Sequence, residues 1–173
     1  MNARQITCSI VLLLVVAAAA SSAPIVPSGP NLAHDVLSLA GISKVALDVE
    51  EMTPLLRAAG LSAGKVKLAW SKALQGAGIE VVDDDVDVPR LHLRTKASVE
   101  EGLTGIGFAS YLQVWQPVRI ERLDRKLKVP TYVYVMGGVD SAENIASTAN
   151  KSFRILINGF IERVRIASKA VDS

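Results

Sequence analysis

Cysteine, histidine and aromatic residues are scarce in this chain. Its 173 residues include one cysteine, Cys8, and two histidines, His34 and His92, and aromatic residues make up 5% of the total. A single cysteine cannot form a disulfide within the chain. The 19 lysines and arginines nearly balance the 17 aspartates and glutamates. Bulk charge therefore gives no reason to expect a nucleic-acid partner.

The sequence also lacks the motifs of several enzyme classes. A Ser-His-Asp hydrolase typically carries a G-x-S-x-G turn, which is absent. Residues 102–107, GLTGIG, have neither the G-K-[ST] ending of a phosphate-binding loop nor the glycine spacing of a dinucleotide site, so we interpret them as a flexible loop. His34 and His92 are interpreted as ordinary surface residues. We therefore predict no catalytic residue and no cofactor.

The first two dozen residues have the layout of a secretory signal peptide. Arg4 precedes an apolar run at residues 10–20, and small residues follow at positions 21–23. This run is shorter than the about 20 apolar residues that a membrane-spanning helix needs. We predict a cleaved signal peptide at residues 1–20 in preference to an uncleaved anchor. Cleavage after Ala20 is favoured because cleavage after Ala23 would place a proline at the scissile bond.

Signal cleavage would remove the only thiol of the chain. Cys8 lies ahead of the apolar run, whereas the lipidated cysteine of a lipoprotein follows it, so lipid anchoring is not expected. The mature protein would then have no disulfide, no thiol nucleophile and no thiolate metal ligand. Small secreted eukaryotic domains usually depend on disulfides. We therefore predict a bacterial envelope protein, secreted or periplasmic, with no transmembrane span after cleavage.

The rest of the chain is predicted to be a flexible tether and one domain. Residues 21–31 are rich in Ser, Pro and Gly, which supply too little apolar surface to offset the entropy of ordering. Residues 32–173 contain neither a linker of this composition nor an internal repeat, and their number is close to the commonest domain size. A single domain is the default expectation.

Alternating apolar and polar residues predict the strands of this domain. They occupy residues 44–51, a second strand formed by residues 79–82 and 91–95 and broken near Pro89, and two further runs at 108–122 and 129–136. A short charged turn separates the last two runs, which we interpret as a hairpin. Period-two alternation is typical of an antiparallel sheet with one solvated face.

Two helices complete the predicted domain. Ser62 is a candidate N-cap for the first helix, which ends at the glycines of residues 76–78. Asp140 with Glu143 fits a capping box for a second, long amphipathic helix. Its length predicts an overhang beyond the sheet, or a bend at Gly159.

The predicted fold is α+β: a single antiparallel sheet of about four strands with two helices on one face, in the order β-α-β-β-β-α. This order of elements resembles small envelope modules, for example the amino-terminal domain of TolB or the lipopolysaccharide-assembly lipoprotein LptE. The resemblance covers most of the mature chain in its order of elements only. The lipidated cysteine of LptE has no counterpart here, and we transfer no function and no site residue.

The densest acidic feature is DDDVD at residues 83–87. Clustered carboxylates can bind a hard cation, but a helix-loop-helix calcium site needs Gly at its sixth position and Glu at its twelfth. Counted from Asp83, these positions hold Val88 and Arg94. We interpret the cluster as a solvated strand end that discourages edge pairing. We predict no metal site.

One face of the predicted sheet is the candidate binding surface. If aliphatic side chains such as Val133 and Val135 meet the helices, the open face carries aromatic rings and cations, with His92 and Lys96 also at its border. The predicted partner-binding residues are Tyr111, Trp115, Tyr132, Tyr134, Arg94 and Arg119. Such a surface suits an envelope protein, a glycan or a second copy of the chain. Two alternatives stay open: the rings are cross-strand pairs that only stabilise the sheet, or the faces are inverted and the rings are core.

Three functional hypotheses follow. The first is a non-enzymatic, exported binding or assembly module that uses the aromatic sheet face. The second is a small exported enzyme that uses Asp85, Asp87 or His92, for which a buried carboxylate in a concave site would be the indicator. The third is an assembly factor that docks through the overhanging end of its terminal helix.

Overall fold

The computed structural model describes residues 32–83, 85, 87–99 and 104–172, all within the compact unit Leu32–Ser173. The predicted signal peptide and tether lie outside the described residues. The elements follow in the order α1 (His34–Leu37), β1 (Lys44–Val49), α2 (Pro54–Ala58), α3 (Ala63–Gly76), β2 (Glu80–Val82), β3 (Arg90–Val99), β4 (Ile106–Ile120), β5 (Arg125–Asp140) and α4 (Ile145–Val171).

The sheet is mixed, so the prediction of a single antiparallel sheet of four strands is wrong. Five strands lie in the order β2-β1-β3-β4-β5. β1 pairs parallel with both β2 and β3, whereas β3 with β4 and β4 with β5 are antiparallel. With four helices in place of two, the fold remains α+β.

The error lies in the segment between α3 and β3. Residues 79–82 and 91–95 were predicted as one broken strand, but they belong to β2 and β3, which lie on opposite sides of β1. α3 carries the chain back to the end of the sheet where β1 begins, and a crossover of this kind produces parallel pairing. Alternation reports which side chains share a face and carries no information on strand direction.

The predicted hairpin is confirmed as β4 and β5. The two strands pair from Ile106↔Asp140 to Ile120↔Arg125, with a register shift between Val114 and Trp115. A short 3-10 turn, Glu121–Leu123, connects them, and Asp124 follows it in the left-handed region at φ 48°. Aspartate is among the residues that tolerate this conformation best.

All four longer strands contribute to one core on the helix-covered face. The strands contribute Val45 and Leu47 of β1, Leu91 and Leu93 of β3, Leu112 and Val114 of β4, and Tyr132 of β5. These side chains are buried with Trp70, Leu74, Phe153, Leu156 and Phe160 of α3 and α4. Two polar residues on this face, Thr95 and Ser110, satisfy each other through a 3.1 Å bond between their hydroxyl oxygens. The opposite face of the sheet is open and is described below.

The N-terminus of α3 agrees with the sequence prediction, whereas the N-terminus of α4 does not. The Ser62 hydroxyl accepts the Lys65 backbone N–H at 3.3 Å, which confirms the predicted N-cap of α3. The capping box predicted for α4 is wrong, because the helix begins at Ile145 and the Asp140 carboxylate instead accepts the Ser141 N–H and the Thr148 hydroxyl at 2.8 and 2.6 Å.

The end of α4 is packed, contrary to the predicted overhang. The helix has 27 residues, which corresponds to about 40 Å at 1.5 Å per residue. Near its end Ala167 is fully buried, and the Ser168 hydroxyl accepts the Gly41 N–H at 3.1 Å. Because α1 and the turn after it lie against this end, α4 does not extend freely beyond the rest of the domain, although Val171 in its last turn keeps 65% of its surface accessible.

Candidate binding face

The open face of the sheet carries a charged half and an apolar half. We define it by the side chains that alternate with the buried ones: Asp48 of β1; Arg90, His92, Arg94 and Lys96 of β3; Tyr111, Gln113 and Trp115 of β4; and Val133, Val135 and Val139 of β5. The register places Arg94 beside Tyr111 and Tyr111 beside Val135. Across the sheet, the side chains therefore change from charged on β1 and β3 to apolar on β4 and β5.

His92 organises the charged half. Its Nδ1 lies 3.0 Å from Oδ2 of Asp48, and its Nε2 lies 3.2 Å from Oε1 of Glu50, just after β1. The other oxygen of Glu50 lies 3.5 Å from Nε of Arg94 and 3.9 Å from Nζ of Lys96. Both ring nitrogens of His92 therefore face carboxylates.

The apolar half is unusually exposed for β-sheet side chains. Tyr111 keeps 37% of its surface accessible, Val133 46%, Val135 48% and Val139 71%. All four lie on β4 or β5, and β5 is the last strand in the sheet order. One edge of β5 therefore pairs with no strand in the described part of the chain. Exposed apolar side chains next to a free strand edge are typical of a surface that a partner covers.

A shallow depression of about 300 Å³ lies at the other end of the open face. Asp48, Arg90, His92, Trp115 and Lys128 line it. The Trp115 indole N–H donates to Oε1 of Gln113 at 3.3 Å, which holds the ring against the sheet. Cations with one aromatic wall suit an acidic side chain of a partner.

The prediction that four aromatic rings share the open face is wrong for two of them. Tyr111 and Trp115 lie on it, whereas Tyr132 and Tyr134 oppose the buried Val114 and Leu112 and lie on the helix-covered face. Tyr132 keeps only 3% of its surface accessible. Valine and tyrosine alternate in this stretch and both are common in strands, so the pattern did not determine which set faces the core.

The two predicted cations lie apart on the sheet, because Arg94 of β3 is opposite Tyr111, eight residues before Arg119 on β4. Arg94 borders Tyr111 on the open face. Arg119 lies near the tip of the β4–β5 hairpin, where its guanidinium pairs with the Asp124 carboxylate. The contacts of Asp48 and Glu50 with His92 were not predicted from the sequence, because they depend on the parallel pairing of β1 with β3.

Asp85 and Asp87 of the acidic loop make local contacts. The Asp85 carboxylate accepts the Asp87 N–H at 3.1 Å, and Asp87 lies 3.9 Å from the Lys126 ammonium. Among the residues that the structure describes, no three of His, Cys, Asp and Glu are grouped so that they could hold a metal ion. Asp85 and Asp87 are exposed in a loop that does not line the depression.

No helix within the described ranges is both long enough and apolar enough to cross a membrane. Comparison with protein-family models and with curated proteins finds no match to this chain. Among solved structures, the chain is similar to a minor lipoprotein from Acinetobacter baumannii, with 14% identity and a TM-score of 0.34 over 74% of this chain and 94% of that chain. A TM-score of this size is too low to establish a shared fold.

Proposed function

We propose that this chain is an exported, non-catalytic binding module of the bacterial envelope that holds a partner protein on the open face of its sheet. The observation that carries the proposal is the row of exposed apolar side chains formed by Tyr111, Val133, Val135 and Val139 beside the free edge of β5. Aromatic and aliphatic side chains at the centre of a patch with a charged border are typical of protein interfaces.

The partner segment that suits this surface is an extended strand. The free edge of β5 presents backbone N–H and C=O groups, and an added strand would satisfy them while its alternate side chains pack on the valines. Arg94 and Lys96 lie on the same face, two strands away from that edge, and both lie close to Glu50, so the exposed apolar side chains carry the proposed contact. The proposal that the protein is exported rests on the signal-peptide pattern of residues 1–20.

The enzyme hypothesis has less support. Its residues Asp85 and Asp87 are exposed, and both ring nitrogens of His92 already face carboxylates. The carboxylate that lines the depression, Asp48, keeps 47% of its side chain accessible. This arrangement differs from the buried carboxylate expected of a general acid or base in a concave site.

Site-specific cross-linking tests the binding surface. A photoreactive benzoylphenylalanine replaces Val135 in one variant and Leu68, an exposed apolar residue of α3, in a matched control. We expect a defined protein adduct from position 135 and not from position 68. An adduct of twice the chain mass would identify a second copy as the partner. The proposal fails if position 135 gives no adduct or if both positions give the same one.

Binding by the purified partner then provides the quantitative test. The double change Val133→Ser/Val135→Ser is expected to weaken its affinity by about tenfold or more, as central interface residues do. Leu68→Ser is expected to leave the affinity within about twofold, as a residue outside an interface does.

N-terminal sequencing tests the proposed export. The sequence of the exported protein is expected to begin at Ser21, and a sequence beginning at Met1 would contradict signal cleavage.

A further inference from the structure

A second cavity, of about 340 Å³, lies on the helical side of the molecule, away from the open face. It is formed by the turn before α3, the first half of α3 and one turn of α4. Its lining residues are Gly60, Leu61, Ser62, Lys65, Val66, Ala69, Trp70, Asn150, Phe153 and Arg154. The volume falls at the lower end of the about 300–1,000 Å³ typical of small-molecule sites.

The wall of this cavity is apolar and belongs to the core. Leu61, Val66, Trp70 and Phe153 each keep 5% or less of their surface accessible. Because these side chains are packed into the core, the wall is fixed before a ligand arrives. A preformed apolar wall of this size accommodates a short aliphatic chain or one aromatic ring.

The charged groups that line the cavity are both cations. Lys65 and Arg154 are exposed side chains, and no acidic residue lines the cavity. Neither cation forms an ion pair with any residue that the structure describes. Ser62 and Asn150 add a hydroxyl and an amide to the same lining. Two unpaired cations above an apolar wall select an anionic head group over a cationic or zwitterionic one.

Trp70 lies in the wall of the cavity, so its indole is in a position to report on a ligand. The indole is 2% exposed, and its N–H has no hydrogen-bond partner among the described residues.

We propose that this cavity binds a small anionic amphiphile, a carboxylate with a short aliphatic chain. The carboxylate pairs with Lys65 and Arg154 at the mouth, and the chain packs against Leu61, Val66 and Phe153. The site is separate from the open face, so the proposal stands without the proposed function.

Fluorescence of Trp70 measures this binding directly. The chain has two tryptophans, and Trp115→Phe leaves Trp70 as the only source of tryptophan fluorescence. Hexanoate, octanoate and decanoate are titrated below their micelle concentrations, with decyltrimethylammonium as the cation of matched chain. We expect a saturable change in emission with the carboxylates, an affinity that rises with chain length, and no saturable change with the cation.

Charge variants test the head-group contact. Arg154→Gln is expected to weaken decanoate binding by about tenfold or more, the range of a charged hydrogen bond. Its matched control is Lys169→Gln, an exposed cation in the last turn of the same helix, about 22 Å from Arg154 at 1.5 Å per residue. The control is expected to stay within about twofold, because screening makes distant surface charges weak.

A filling variant tests the cavity without touching its charges. Ala69→Leu places three more carbons in the lining at an exposed helical position, where leucine is a good helix former. We expect unchanged thermal unfolding and loss of the Trp70 response. The proposal is overturned if no carboxylate of the series binds saturably, if decyltrimethylammonium binds equally well, or if both Arg154→Gln and Ala69→Leu bind decanoate as the parent does.

Discussion

The guanidinium carbon of Arg163 lies 4.4 Å from the centroid of the Tyr134 ring. The same side chain donates from Nη1 to the Gly159 carbonyl oxygen at 3.1 Å, one turn earlier in α4. Tyr134 therefore packs between β5 and the helix, directly over Gly159. A cation over an aromatic face of this kind stabilises by about 0.5–1 kcal/mol at a partly exposed site.

Glycine is expected to be required at position 159, because the Tyr134 ring lies directly over it. A Cβ at this position would lie 2.8 Å from Cε1 of Tyr134. Gly159→Ala is therefore expected to lower the free energy of unfolding by about 1 kcal/mol, because overpacking costs about 1–3 kcal/mol while helix propensity returns up to about 1. Urea denaturation measures the difference.

The double variant isolates the cause. With Tyr134→Ala in place, Gly159→Ala is expected to raise the free energy of unfolding, because the helix gains alanine and the clash with the ring is gone. The remaining close contact, 2.9 Å to Nη1 of Arg163, is with the end of a flexible side chain that can shift. Gly64→Ala in α3 is the matched control, since no heavy atom lies within 4 Å of its added Cβ. A loss of similar size with and without Tyr134 would show that the ring is not the cause.

Tyr132 is expected to make the fold sensitive to alkaline pH. Burial raises the pKa of Tyr132 above its ordinary value of 10.0, although the nearby Arg163 opposes the shift. A group with a raised pKa in the folded state contributes stability that is fully present below pH 10, and it is lost as the pH rises through the folded pKa. The free energy of unfolding should therefore fall above pH 10.

The comparison of Tyr132→Phe with the wild type measures this contribution. The variant should show a flatter alkaline limb in urea denaturation between pH 9 and pH 11, because it has no phenol to ionise at this site. Tyr111→Phe, on the open face, is the control and should keep the wild-type slope. Equal slopes for wild type and Tyr132→Phe would contradict the assignment.

Asp140 is expected to make the stability of the fold sensitive to acid pH. The hydrogen bond from the Thr148 hydroxyl, followed by that from the Ser141 N–H, holds the pKa of the Asp140 carboxyl below its ordinary value of 3.8. Stability from a lowered pKa is present above pH 3.8 and is lost as the pH falls through the folded pKa. Asp140→Asn should flatten the acid limb of thermal unfolding below pH 3.8. Glu143→Gln, a change at an exposed neighbouring residue, should leave the acid limb unchanged. If both variants flatten the acid limb equally, the hydrogen bonds to Asp140 are not the source of the pH dependence.

Sequence patterning predicted elements whose contacts are local. The hairpin of β4 and β5 was predicted because two apolar runs flank a charged turn, and α4 was predicted because its apolar residues recur every three or four positions. The parallel pairing of β1 with β2 and β3 was missed, since it depends on where α3 returns the chain. An alternation of period two is the same whichever way a strand runs, so it does not distinguish parallel from antiparallel pairing.

The candidate site was predicted only in part, for a related reason. Tyr111 and Trp115 were placed correctly, because the buried residues between them, Leu112 and Val114, are aliphatic. Tyr132 and Tyr134 were misplaced, because aliphatic valines separate them and a large ring over Gly159 was not visible in the sequence. The cavity between α3 and α4 was missed altogether, since it depends on how two helices distant in sequence approach each other.

The charge pattern along β5 determines how long an added strand can be. Its first half carries Arg125, Lys126 and Lys128, whereas residues 129–139 contain no charged side chain before Asp140 ends the strand. Charged side chains on an edge oppose pairing, and Pro130 lacks a backbone donor. A partner strand is therefore confined to residues 133–139, about 23 Å at 3.3 Å per residue. Under the proposed function this limit permits one short added strand, and the charged first half of β5 opposes edge-to-edge aggregation along that part of the edge.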